Sequence, residues 1–301
     1  MNVMTEIPSV SNTLASRALI VSLTIHQWSG RRFDRKISDE VNETHGAAND
    51  ASRTTKSLVP KSALAGIQKI ASAIRTEFNQ RSLPWLDDGQ RVIAAETYVA
   101  HAAWLNSERA KFDAAVQEFL VQYPTYVAEA ETRLGAMFNT GDYPPAEEIH
   151  KKFGMEMRTQ NAPDATDFRV SVSDAQAEQI RAEIEQTVNE ATRRAVSDVY
   201  RRVRDVCERM VDRLNTYKPA QGKGERAEGV FKNSLVENVR DLIKVMPSLN
   251  ITGDPELDKL AKQLETIARH DADVLRISTP IRQDTAAEAQ KILDQMNAFV
   301  A

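Results

Sequence analysis

The sequence predicts a mainly α protein: an elongated antiparallel bundle of coiled-coil-like hairpins around one very long helix, with a small two- or three-stranded β element. Three observations lead there. Aromatic residues make up 6% of the chain, and 11 glycines with 11 prolines leave long stretches uninterrupted, a composition that favours helix over sheet. Across 173–218, apolar residues recur at Ala177, Ile180, Ile184, Val188, Ala191, Ala195, Val199, Val203, Val206, Met210 and Leu214. The stripe returns to register through Ala177, Val188, Val199 and Met210, about 3.67 residues per turn, so it stays nearly straight. Near the start, Leu19, Val21, Leu23 and Ile25 alternate with Ile20, Ser22, Thr24 and His26, the period-two pattern of a strand.

In chain order, residues 1–17 form a polar tail expected to be flexible, and the strand covers about 18–26. Trp28, Ser29 and Gly30 end it, and the run from Arg31 to Lys36 opens a short charged helix to about 43. Residues 45–57 carry few large apolar side chains and read as a mobile loop. Pro60 starts a helix bearing Leu64, Ile67, Ile70, Ala71, Ile74 and Phe78, since its fixed φ suits a first turn. The next helix, about 88–123, repeats Tyr98, Ala102, Leu105, Arg109, Phe112, Val116, Phe119 and Tyr123 at alternating four and three, a coiled-coil seam. Pro124 is expected to kink or restart it. A shorter helix runs to about 138, a proline turn leads to a short helix ending near Gly154, and Phe168, Val170 and Val172 suggest a second strand over 168–172, able to pair with the first. After the long helix come three further helical segments, a possible C-terminal subdomain over 220–301 within a single domain of 18–301.

Charge is unevenly placed. The net charge is -4, and residues 83–190 hold 19 acidic against 9 basic groups. The first half of the long helix repeats this on a small scale, with Asp174, Glu178, Glu183, Glu185 and Glu190 against Arg181, while its second half is rich in arginine. Those five acids mark a candidate partner-facing surface. Trp28, Arg31, Arg32, Arg35 and Lys36, with Phe33, combine phosphate-seeking charge with rings that could stack on bases; the alternative is that the rings dock on the bundle and the arginines face solvent or acids. Arg109 interrupts the seam, either to set register against an answering acid or to extend its charge to water.

Signatures of catalysis are sparse. The five histidines are scattered, and Glu147 with His150 makes a single Glu-x-x-His without a second copy, whereas di-iron bundles use two with additional glutamates. Gly222-Lys223-Gly224 lacks the P-loop spacing, and the single cysteine, Cys207, sits beside the apolar stripe with no histidine near it in sequence. No cofactor and no enzymatic activity are expected. Residues 1–17 contain no apolar leader core and the run 19–25 is too short to span a bilayer, so the expectation is a cytoplasmic protein without membrane contact.

Several segments together carry a resemblance: Val21-Ser22-Leu23-Thr24-Ile25 leading to Trp28-Ser29-Gly30-Arg31, Leu83-Pro84-Trp85 with Asp88-Gly89, Asp142-Tyr143-Pro144, Phe168-Arg169-Val170, and Phe231-Lys232-Asn233-Ser234-Leu235 with Asn250 and Asp254-Pro255. The set resembles an uncharacterised family of phage and mobile-element proteins, a domain of unknown function. The resemblance implies a bacterial host cell and genes near a MoxR-like or CobS-like AAA+ ATPase. It leads to the expectation of a non-enzymatic interaction protein that self-associates or serves as adaptor or substrate of such an ATPase. The alternatives are a nucleic-acid-associated protein of phage replication, recombination or counter-defence, and a virion structural protein.

Overall fold

A computed structural model describes residues 10–86, 89–163, 174–220, 222 and 226–300. The protein is mainly helical, with ten α-helices among the described residues and a small antiparallel β component. The chain divides into two compact units, 1–22 with 78–101 and 158–301, and 23–77 with 102–157. Each has its own apolar core.

The first unit is built on the long helix. It begins with α1 (Val10–Arg17) and the first half of β1 (Ala18–His26), so the expected polar tail is helical from Val10 and buries Leu14. β4 (Leu83–Pro84) and β5 (Gln90–Ala94) pair antiparallel, Leu83 opposite Val92, and β5 pairs β1 with Ala18 opposite Ala94. The helix expected from 88 therefore starts later: Val92, Ile93 and Ala94 are buried strand residues. β6 (Gly154–Asn161) completes the sheet order β4-β5-β1-β6; the second strand expected at 168–172 lies outside the described residues.

The long helix is α6 (Asp174–Thr216), about 65 Å at 1.5 Å per residue. Its stripe is buried from Val188 through Ala191, Ala195, Val199, Val203, Met210 and Leu214. It packs along α10 (Thr279–Val300), whose buried Ala286 and Ala289 are small like Ala191 and Ala195, allowing close approach of the two helices. α7 (Ser234–Leu249) and α8 (Pro255–Ile267) close the core, and α9 (Ala272–Ile277) leads into α10. The C-terminal helices thus share one core with α6 and form no subdomain of their own.

The second half of α6 spends part of its charge internally. Arg202 donates to the carbonyls of Gln80 (2.7 Å), Asn79 (3.2 Å) and Ser82 (2.9 Å), and Arg91 to those of Asn79 (2.8 Å) and Ser82 (2.7 Å). Two guanidiniums thereby satisfy carbonyls exposed where a helix ends, and Asp198 accepts from both Arg201 and Arg202.

The second unit carries β2 (Arg31–Phe33), α2 (Arg35–Thr44), β3 (Thr55–Ser57), most of α3 (Lys61–Gln80), the greater part of α4 (Tyr98–Leu134) and α5 (Ala146–His150). The helix expected from Arg31 begins instead after Asp34, which caps α2 by accepting the Ile37 N–H at 3.2 Å. The loop expected over 45–57 is tied down: Asn42 donates to the Asn49 carbonyl (3.0 Å), Ser52 donates to Asn42 Oδ1 (2.6 Å), and residues 55–57 are strand. Pro124 lies inside α4, which continues through it. Leu105, Phe112, Val116, Phe119 and Tyr123 of the seam are buried with Leu64, Ile67, Ala71 and Ile74 of α3.

Candidate functional site

In the second unit, β2 and β3 form an antiparallel ribbon in which Arg31 stands opposite Ser57, Arg32 opposite Lys56 and Phe33 opposite Thr55. Side chains alternate faces along a strand, so Arg32 and Lys56 share one face and Arg31, Phe33, Thr55 and Ser57 the other. The first face turns inward to an ion cluster. Lys56 Nζ lies 2.9 Å from Asp34 Oδ2 and 2.7 Å from Asp142 Oδ2, and donates to the Met137 carbonyl at 2.6 Å. Arg32 Nε lies 2.9 Å from Asp142 Oδ1. The side chains of Lys56 and Asp142 are each 7% exposed, so charge removed from water is answered by charge within bonding distance.

Protonation follows from this geometry. The hydrogen bond from Lys56 holds the Asp34 carboxyl below the usual carboxylate range, against the opposing effect of burial. Burial pulls the Lys56 ammonium down, but its bonds to Asp142 and Asp34 more than offset it and its pKa is raised. The ribbon is also held along its edge: Arg133 donates to the carbonyls of Ser57 (2.6 Å) and Leu58 (2.7 Å), and the Tyr143 hydroxyl to that of Leu58 (3.0 Å).

The aromatic-basic cluster singled out from sequence is divided by the fold. Trp28 is 8% exposed, with ring centroids 6.0 Å from Phe119 and 5.9 Å from Tyr123. It is a core residue with no face left for a base. Arg32 is committed to Asp142, while Arg35 and Lys36 sit on the first turn of α2, 3.8 Å from Asp39 and 3.9 Å from Glu40. Arg31 is exposed, and Phe33 is 40% exposed with the Arg53 guanidinium 4.7 Å from its ring centroid. Arg53 and the exposed Lys61 were missed by sequence reasoning because they flank the ribbon only once β3 has paired with β2.

On the first unit, Glu178, Glu183 and Glu190 are exposed and Glu185 half-buried on α6, which Asp174 begins. Arg181 lies 3.5 Å from Glu178. Between these acids Ala177, Ile180 and Ile184 are only half-buried, in contrast to the stripe from Val188 onward, which is buried except at Val206. Ile180, Ile184 and Val188 join Leu86 and Pro163 in an open apolar cleft of about 360 Å³ edged by Glu183 and Thr187. Arg109 is half-buried, pairs with no carboxylate among the described residues, and leaves Nε without a hydrogen-bond partner. Among the described residues no acid lies within ion-pair distance of Arg109 to complete a register-setting pair.

Other reactive groups are shielded. Cys207 is a free, buried thiol whose pKa burial pushes up to about 12, a poor nucleophile at neutral pH. His101 is buried 5.4 Å from Phe78, and burial followed by the Arg81 charge brings its pKa down to about 4. Among the described residues no three His, Cys, Asp or Glu side chains are grouped to hold a metal ion, and none of the helices is long and apolar enough to cross a membrane.

These surfaces define a helical protein with an acidic, partly apolar helix face and a rigid basic ribbon. No family model matches the chain, and no match was found among curated proteins or solved structures.

Proposed function

We propose that this chain is a non-enzymatic interaction protein, and that its partner-binding surface is the first half of α6 from Asp174 to Glu190. The observation that carries the reading is the open apolar cleft at Leu86, Pro163, Ile180, Ile184 and Val188, edged by Glu183, on a helix half that also bears Glu178, Glu185 and Glu190. An apolar floor supplies affinity and a charged rim steers encounter and selects the partner's sign. The matching partner is a protein segment with basic side chains around apolar anchors, such as an amphipathic helix. The phage or mobile-element setting, and an AAA+ ATPase of the MoxR-like or CobS-like kind as that partner, rest on the sequence resemblance and belong to the same proposal.

The test is a paired affinity purification from host cells and with a purified candidate ATPase, using the native chain and Glu178→Lys/Glu183→Lys/Glu190→Lys. The expected result is one stoichiometric protein partner, held less tightly as salt rises and lost from the charge-reversed variant. Equal recovery by both proteins, or a native chain that is monomeric at high concentration and retains no protein, overturns the reading.

A further inference from the structure

The ribbon's outward face is used by nothing described so far. Arg32 and Lys56 commit the inner face to Asp34 and Asp142, which fixes the strands and leaves Arg31 and Phe33 pointing the other way. Arg31, Arg53 and Lys61 are exposed, and none forms an ion pair among the described residues. By contrast, Arg35 and Lys36 have Asp39 and Glu40 beside them. A cleft of about 350 Å³ opens next to Arg31, lined in part by Ser29, Gly30, Ser57 and Lys61. Phe33 offers a ring to solvent in the middle of this charge, with the Arg53 guanidinium against it.

We infer that the outer face of the β2–β3 ribbon binds single-stranded nucleic acid, with Arg31, Lys61 and Arg53 on the phosphates and Phe33 stacked on a base. Complementary charge alone would suit any polyanion. The exposed ring narrows the choice, because base–aromatic stacking needs a base face that a duplex keeps closed, and a guanidinium beside the ring adds its own attraction. Nothing in this rests on the acidic face of α6, which lies in the other unit.

The experiment uses the full chain with a fluorescein-labelled oligothymidylate of about 20 nucleotides, long enough for one such site, and a duplex of equal length. Fluorescence anisotropy is measured across a salt series. Three phosphate contacts predict a log–log salt slope of about -2, at roughly -0.7 per contact on a single strand. Arg31→Ala/Lys61→Ala flattens that slope by about 1.4. Phe33→Ala leaves it unchanged and weakens binding roughly ten- to hundredfold. The inference is overturned by no binding at low salt, by duplex bound as tightly as single strand, by variants that bind like the native chain, or by polyglutamate displacing the oligonucleotide equally well. If a variant loses its circular dichroism, photo-crosslinking of the native chain decides: adducts on the peptide containing Phe33 support the inference, and adducts found only elsewhere overturn it.

Discussion

Lys56 is held between two carboxylates, Asp34 and Asp142, in a place where none of the three is free in water. Replacing it by methionine removes the cation and leaves the acids facing each other. Breaking a buried pair in this way costs about 3–5 kcal/mol, so Lys56→Met is expected to lower the urea midpoint markedly, and an unchanged midpoint would show that the cluster adds nothing. The sign of the pH effect follows from the shifts. Asp34 is lowered below its unfolded value, so its contribution is present above about pH 4 and is lost as pH falls through the depressed folded pKa. Lys56 is raised, so its contribution is complete below about pH 10 and is lost as pH rises through the folded pKa. His101 acts within a different window. With a folded pKa of about 4 against about 6.5 unfolded, the unfolded chain takes up the proton first, and stability falls as pH drops from 6.5 to 4. His101→Gln should remove that part of the slope in urea titrations at several pH values; an identical slope would assign it to other groups. At this scale the sequence was readable for Cys207, whose place beside an apolar stripe meant burial. It was ambiguous for Trp28, because a tryptophan next to arginines looks the same whether its ring faces a core or a ligand; the structure takes the docked alternative.

At the scale of elements, legibility followed the length of the periodic apolar pattern. α6 could be read from its own periodicity, because a stripe repeated over many turns outweighs local noise; the structure buries that stripe from Val188 onward except at Val206 and leaves Ile180 and Ile184 half-open. β1 was equally plain, since its alternation runs through nine residues. The short strands β2, β3, β4 and β5 were not, because two to five residues become strand only by pairing with a partner distant in sequence. Pro124 is instructive in the other direction. Proline costs helix locally, yet Tyr123 is buried with its hydroxyl donating to the Pro144 carbonyl at 3.0 Å, and Ala130 and Leu134 are buried about two and three turns further on. Tertiary packing carries α4 past an exposed proline that supplies no N–H. Pro124→Ala should therefore stabilise the chain by about 1–2 kcal/mol, read as a higher Tm; a lower Tm would mean that the proline fits a local bend the packing requires.

For the whole molecule, the decisive difference from the sequence reading is the division into two units. Boundaries are sought in linkers rich in glycine, proline and polar residues. Here all four crossings fall inside continuous elements: within β1 after Ser22, within α3 after Glu77, within α4 after His101 and within β6 after Met157. Nothing in the composition at those points marks a boundary. The division also separates the two candidate surfaces, the acidic face of α6 in one unit and the basic ribbon in the other. From sequence each could be marked only as a run of charge, five acids on α6 and a basic cluster around Arg31, without its surroundings. The acids of α6 could be counted, but the cleft beside Glu183 needs Leu86 and Pro163 brought to Ile180 and Ile184. A protein partner docked in this cleft, as proposed, would shield the backbone beneath it. Hydrogen–deuterium exchange of the native chain, alone and with its captured partner, tests it most directly. Slowed exchange is expected to concentrate in peptides covering 176–190; unchanged exchange there alongside protection elsewhere would overturn the proposal.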